Sequence, residues 1–330
     1  MVGLVRPGNG GVARCDRDVV AQRSGGPTAR GGNQAARNDA RCAGTSVKDG
    51  YRWAVRTPAE RKSRPARAGR PVSRESSVFY PGIELVAEAT LHEGSDPYLE
   101  DHVLEGAALF PAVLGLEAMA QAICALAGSG SLVLERVRFD RPIVAGSDGL
   151  RGRIAGLHEL DGSIRAVLRS EETGFQADHF SASGHLERWS PGVPCHVGPE
   201  LQSLALDSDD LYHTMLFHAG RFRRVAGYNA LSAKNCVAVI SARSDTRWFP
   251  FREADDFILG DPAVRDAAMH ALQACIPHRR VLPVAVERIW LGQLLSDREY
   301  TVCGEQISQE PDLFVFDVEI RDEKGILVER

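Results

Sequence analysis

His102 and Asp266, far apart in the chain, have the types and neighbours that suit a shared proton-transfer site. His102 opens HVLEGAALFP, with Gly106 four positions on and Pro111 five positions after that. Asp266 opens DAAMH, and His270 follows four positions later, one helical turn away on the same face. An imidazole with an unperturbed pKa of about 6.5 can take up a proton near neutrality. An ordinary Asp, at about 3.9, is ionised there and cannot donate, so burial beside an apolar helix would have to raise it. Two such groups, pushed apart in pKa, supply one base and one acid.

The elements that must hold these residues follow from pattern. IELVAEATL (83–91) alternates and predicts a strand. Pro111 suits the first turn of a helix, where its missing N–H costs nothing. The run AVLGLEAMAQAICALAG is apolar nearly all round, which predicts a buried helix ended by Gly128 and Gly130. Strand-like runs at about 131–140, 150–158, 163–171 and 177–188 are separated by turn signals such as Asp161-Gly162.

SPGVPCHVGPE (190–200) reads as a linker. Beyond it, strands at about 222–231 and 234–242 precede GDPAVRDAAMHALQACI, a helix capped by Asp261, entered through Pro262 and stopped by Pro277. Runs at 282–291, 299–308, 312–321 and 325–329 look like a second antiparallel set. The order strand, helix, meander thus occurs twice, in 79–189 and 201–330, as a duplicated module would give. The sequence stops as its last strand begins, an expectation of a fragment of a longer protein.

Composition sets bounds. The chain of 330 residues is 44% hydrophobic, enough for a real core, and carries a net charge of −5. That charge hides an asymmetry, because residues 1–78 hold 16 Lys and Arg against 6 Asp and Glu. This Arg- and Gly-rich arm shows no sustained period and is expected to be mostly disordered. It lacks interleaved aromatics, so nucleic acid is not an expected partner. No signal-peptide core and no 18-residue apolar run occurs, so no membrane is expected and the expected location is the cytoplasm. The seven cysteines include no CxxC and no zinc spacing; they read as free thiols, with no metal expected.

The two motifs carry a family resemblance. HVLEGAALFP is similar to the HxxxGxxxxP motif, and DAAMH to the DxxxQ/H motif, of polyketide synthase dehydratase domains. DPYLEDH before the His, DHFSA (178–182) and LPVAVERI after the second helix extend it. LFHAGRFRRVAGY and LGDPAVRDAAMHALQACIPHRRVLPVAVERIWL look like the dehydratase region of iterative synthases that make enediyne polyenes. The resemblance covers about 80–330. It implies an α+β double hotdog, two curved antiparallel sheets each wrapped around a central helix. It also implies dehydration of a β-hydroxyacyl thioester on an acyl carrier protein to a trans-2-enoyl thioester.

In that reading His102 abstracts the alpha proton and Asp266 protonates the departing hydroxyl, with His270 orienting. The helix start between Gly106 and Pro111 would aim backbone N–H groups at the thioester carbonyl, and Gly106, lacking a side chain, would let substrate approach. Many family members carry YGPxF where this chain has FHAGRF: His218 stands at the Tyr position and Phe222 keeps the aromatic. His218 or Arg221 would then take over contacts with substrate or carrier.

No resident cofactor is implied, since the phosphopantetheine arm arrives with the substrate. Implied partners are the acyl carrier protein, other synthase domains and a second copy in a homodimer. Two other functions use the same features: a product-template-like domain directing aldol cyclisation, and a non-catalytic dimerisation or docking domain of a synthase.

Overall fold

The computed structural model describes residues 1–5, 78–128, 130–187, 206, 208–243, 247–249 and 257–330. The expected linker 190–200 and most of the basic arm lie outside these. The first half contains β2 (Val78–Tyr80), β3 (Glu84–Leu91), β4 (Val103–Leu104), β5 (Ala107–Leu109), α1 (Ala112–Ala127), β6 (Leu132–Phe139), β7 (Val144–Ala145), β8 (Leu150–His158), β9 (Ile164–Ser170) and β10 (Phe180–Leu186). The second contains α2 (Ser208–Thr214), β11 (Val225–Leu231), β12 (Asn235–Ile240), α3 (Pro262–His270), β13 (Leu282–Trp290), β14 (Tyr300–Gln309), β15 (Leu313–Asp322) and β16 (Leu327–Glu329).

One element overturns an expectation. The arm begins with a strand, β1 (Val2–Val5), which pairs with β13 on one side and β15 on the other. Residues 1–5 therefore belong to the folded sheet. Val2 and Leu4 are short, alternating and apolar, and in a basic arm with no sustained period they gave no strand signal.

The strand order is β11-β12-β14-β15-β1-β13-β6-β10-β9-β8-β3-β2, all in one antiparallel sheet. The two halves join where β13 pairs with β6, from Ala285 opposite Arg138 to Trp290 opposite Val133. The two expected sheets are thus continuous. A separate small sheet, β4-β5-β7, carries the loop before α1.

α1 lies under β8, β9 and β10, and its buried residues run from Val113 to Leu126 with little polar interruption. Glu117 is the exception. Its carboxylate accepts from Ile258 N (2.8 Å), Leu259 N (2.9 Å) and Gln121 Nε2 (2.8 Å), so a first-half helix fixes the approach to α3 in the second half. Burial pushes the Glu117 carboxyl up, and these N–H donors oppose that shift.

α3 is capped as its sequence predicts: Asp261 accepts from Ala263 N at 2.9 Å and Pro262 takes the first turn. It is shorter than expected, because the chain tightens to a 3-10 turn over Ala271–Cys275. Gln273 holds the exit, donating to Ile276 O and Arg279 O and accepting from Val281 N. The predicted strand at 222 begins at Val225 instead, since Gly220–Phe222 forms a 3-10 turn. Helix α2 had no counterpart among the sequence expectations. Among the described cysteines, Cys124, Cys236 and Cys275 are buried.

Candidate active site

His102 sits at the mouth of a two-residue hairpin. Glu105 (φ 51°) and Gly106 (φ 82°) are both left-handed, as a type I′ turn between β4 and β5 requires. The hairpin returns Leu109 to His102. Leu109 N donates to His102 O at 3.0 Å, and His102 Nδ1 lies 3.0 Å from Leu109 O. A carbonyl can only accept, so Nδ1 carries the proton and the lone pair is on Nε2. Gly106 is exposed at the turn tip, and a Cβ there would meet nothing within 4 Å. It lets the hairpin close. Pro111 is the N-cap, one position before the helix starts at Ala112.

The ring of His102 is enclosed by aromatic groups: Phe217, His218 and Phe222 lie with ring centroids 5.0, 5.2 and 5.1 Å away. Its exposure is 7%. Burial pushes the His102 imidazole below its ordinary value, with Asp266 and the Leu109 carbonyl acting against that shift. The result is a neutral base at neutral pH.

Asp266 and His270 project from α3 one turn apart. His270 Nδ1 lies 3.0 Å from Asp266 Oδ2 and His218 Nε2 lies 3.3 Å from the same oxygen. The His270 ring is oriented by Tyr212 of α2, a residue that the sequence gave no reason to single out. Tyr212 Oη accepts from Arg224 N and Val225 N, both at 2.9 Å, and lies 3.1 Å from His270 Nε2. With two N–H groups on its lone pairs, the phenol turns its O–H to His270 Nε2, and His270 presents Nδ1–H to Asp266. No hydrogen bond or ion pair from the described residues reaches Asp266 Oδ1.

His218 is stacked between Phe217 and His270, with centroids 4.0 Å from each. Burial pushes it well below the ordinary histidine range, and the neighbouring His270 and His102 reinforce that. Its Nδ1 is buried and has no hydrogen-bond partner among the described residues. Phe222, wholly buried, forms part of the wall against His102.

Arg221 ties two loops together. It ion-pairs with Asp101 through Nη1, donates from Nη1 to Pro97 O at 3.2 Å and from Nε to Arg247 O at 3.0 Å. Ala219 N also donates to Asp101 O at 2.8 Å. Gly220 (φ 44°) makes this approach possible, since a Cβ there would fall 2.0 Å from Asp101 Oδ1. Arg221 is committed to stapling the residue before His102 to the loop that bears His218.

His102, His218 and Asp266 each offer one ligand atom within 4.8 Å of the others, so these three are the residues that could hold an ion. A set of two imidazoles and one carboxylate suits a first-row divalent cation. Among the described residues no helix is long and apolar enough to cross a membrane.

A sheet of this order wrapped over two central helices is a double hotdog. Residues 77–171 match the profile of the polyketide synthase dehydratase domain, and residues 198–330 that of the polyketide synthase dehydratase N-terminal domain. Both halves of the fold thus carry polyketide synthase dehydratase sequence. No curated protein matches the chain.

Solved structures share the fold. The dehydratase domain from the CurF module of Curacin polyketide synthase is 19% identical with a TM-score of 0.62, covering 77% of this chain and 94% of its own. The inactive histidine-to-phenylalanine mutant of CurK dehydratase is 17% identical (TM-score 0.62; 77% and 93% covered). The inactive aspartate-to-asparagine mutant is 18% identical (0.61; 77% and 92%).

Proposed function

We propose that this domain removes water from a β-hydroxyacyl thioester carried on an acyl carrier protein, leaving a trans-2-enoyl thioester. The observation that carries the reading is the convergence of a neutral His102, proton on Nδ1, with Asp266 from the other half of the fold. His102 Nε2 takes the alpha proton as the C–O bond to the β-carbon breaks. Asp266 delivers a proton from Oδ1 to the departing hydroxyl, which leaves as water. His270 holds Oδ2 through Nδ1–H, so that the acid presents one oxygen rather than two. That a His and an Asp mutant of CurK dehydratase are both inactive supports this pairing of roles.

The aromatic and aliphatic surroundings of His102 favour a linear apolar acyl chain, in keeping with the resemblance to enediyne-type polyene synthases. The test is mass spectrometry of a carrier-bound 3-hydroxyacyl substrate, in both configurations, incubated with the protein and with His102→Ala. Loss of one water with the wild type alone is the expected result. No loss with either folded protein, over several chain lengths, overturns the reading.

A further inference from the structure

Three side chains from separate elements bring their donor atoms to one buried place. His102 comes from the mouth of the β4–β5 hairpin, His218 from the loop after α2, and Asp266 from α3. One donor atom of each lies within 4.8 Å of the other two. A tetrahedral ion bound at about 2.0–2.1 Å spaces its ligand atoms about 3.3 Å apart. His218 Nε2 and Asp266 Oδ2 already stand at 3.3 Å. The remaining spacings, none above 4.8 Å, close by small side-chain rotations.

The three donors are held in place by groups around them. The Leu109 carbonyl takes Nδ1–H of His102 and so leaves Nε2 as its free nitrogen, while His270 grips the carboxylate of Asp266. Metal-binding imidazoles and carboxylates are oriented by outer hydrogen bonds of this kind. The His218 ring is clamped between Phe217 and His270, and its loop is tied beside His102: Ala219 N donates to Asp101 O at 2.8 Å, and Arg221 pairs with the Asp101 carboxylate.

His218 is the residue that turns an acid and a base into a ligand set. Among the described residues its Nδ1 has no hydrogen-bond partner, and its Nε2 faces Asp266. A buried imidazole so poorly satisfied is costly as a packing group, and imidazole is the commonest metal ligand. Two imidazoles with one carboxylate favour zinc and its first-row neighbours over magnesium and calcium, which take oxygen ligands. Three protein ligands leave a fourth position for water or another oxygen.

We propose that His102, His218 and Asp266 form a binding site for a first-row divalent cation such as zinc, and that the bound cation blocks dehydration. It does so by taking the Nε2 lone pair of His102 that would remove the alpha proton. The binding stands on the geometry; the inhibition rests on the dehydratase reading.

The test titrates the full chain, stripped of metal by a chelator, with zinc chloride by calorimetry and with cobalt(II) chloride by visible absorption. Zinc binding with heat release is expected, together with the intense cobalt bands of a four-coordinate nitrogen and oxygen site. His218→Phe, which keeps a ring in the stack, should weaken zinc binding by at least about tenfold. Asp266→Asn, which keeps an oxygen for His270, should weaken it too and serves as the second variant if His218→Phe does not fold. No bound cation, cobalt spectra showing only thiolate ligation, or unchanged affinity in a folded variant overturns the site. At about ten times its Kd, zinc should also slow water loss from a carrier-bound 3-hydroxyacyl substrate about tenfold, and a chelator should restore the rate. Full turnover with the cation bound overturns the inhibition. Absence of turnover even without metal counts against the dehydratase reading, and the calorimetry still decides the site.

Discussion

The two halves of this fold repeat one plan and stabilise it by different physics. In the first half the helix under the sheet is 16 residues long and buries aliphatic side chains on nearly every face. In the second it is 9 residues long and buries Arg265, Asp266 and His270. The proposed base, His102, comes from a hairpin in front of the apolar helix, fixed by one backbone carbonyl. The proposed acid, Asp266, comes from the polar helix and is fixed by His270, itself held by Tyr212. An apolar core holds a helix without demanding directional contacts, whereas buried charges must each be paired, and that pairing gives the second half an oriented carboxyl group.

The largest effect expected from this contrast is on turnover. Asp266→Asn keeps an oxygen for His270 Nδ1–H but removes the transferable proton. Dehydration should fall about 10²–10⁴-fold in single-turnover assays with the melting temperature little changed. Near-wild-type turnover would remove the acid from the polar half and with it the division of labour.

Next comes stability. Glu329→Ala strands the buried Arg265 guanidinium and should cost about 3–5 kcal/mol in urea unfolding. Leu116→Ala, in the apolar helix, should cost about 2–5 kcal/mol by cavity formation. The sharper comparison is restoration: an Arg265→Met, Glu329→Leu double variant should recover much of the first loss, since an apolar pair of similar volume has no unpaired charge. A double variant as unstable as Glu329→Ala would contradict the pairing argument.

Tyr212→Phe should have a smaller effect. It leaves Arg224 N and Val225 N without their acceptor and should cost about 1–3 kcal/mol. It also frees the His270 ring, so the pH–rate profile should move while Asp266 and His102 stay in place. An unchanged profile with only stability lost would reduce Tyr212 to a structural residue.

The smallest effect concerns pH. His102 and His218 are both held below the unperturbed value of about 6.5, so between that value and their folded values the unfolded chain binds more protons than the native one. Their contribution to stability is present above pH 6.5 and is lost as pH falls towards the folded values. Thermal melts from pH 8 to 5 should show the decline, and His218→Tyr should make it shallower. Turnover, which needs neutral His102, should keep its acid limb below pH 6.5 in both proteins.

The long strands and both central helices were legible because periodicity, Gly and Pro mark them locally: β8 and β9 lie where alternation placed them, and Asp261 with Pro262 starts α3. His102 and Asp266 could be nominated from neighbours four and five positions away. What the residues' own spacing could not supply was everything that depends on folding distance. Tyr212 lies 58 residues from His270 and has no motif of its own. The ion pair of Arg221 with Asp101 likewise spans 120 residues of sequence.

By itself the sequence determined the repeated order of elements and the apolar character of the first helix, and it nominated His102 and Asp266. Local patterns suffice for these, since each depends on the period of a helix or strand. Only the tertiary structure decided which nitrogen of His102 is free, which oxygen of Asp266 is held, and that Val2–Val5 lies between β13 and β15. Those depend on partners brought together from distant parts of the chain, and a hydrogen bond's direction is fixed only once both of its ends are in place.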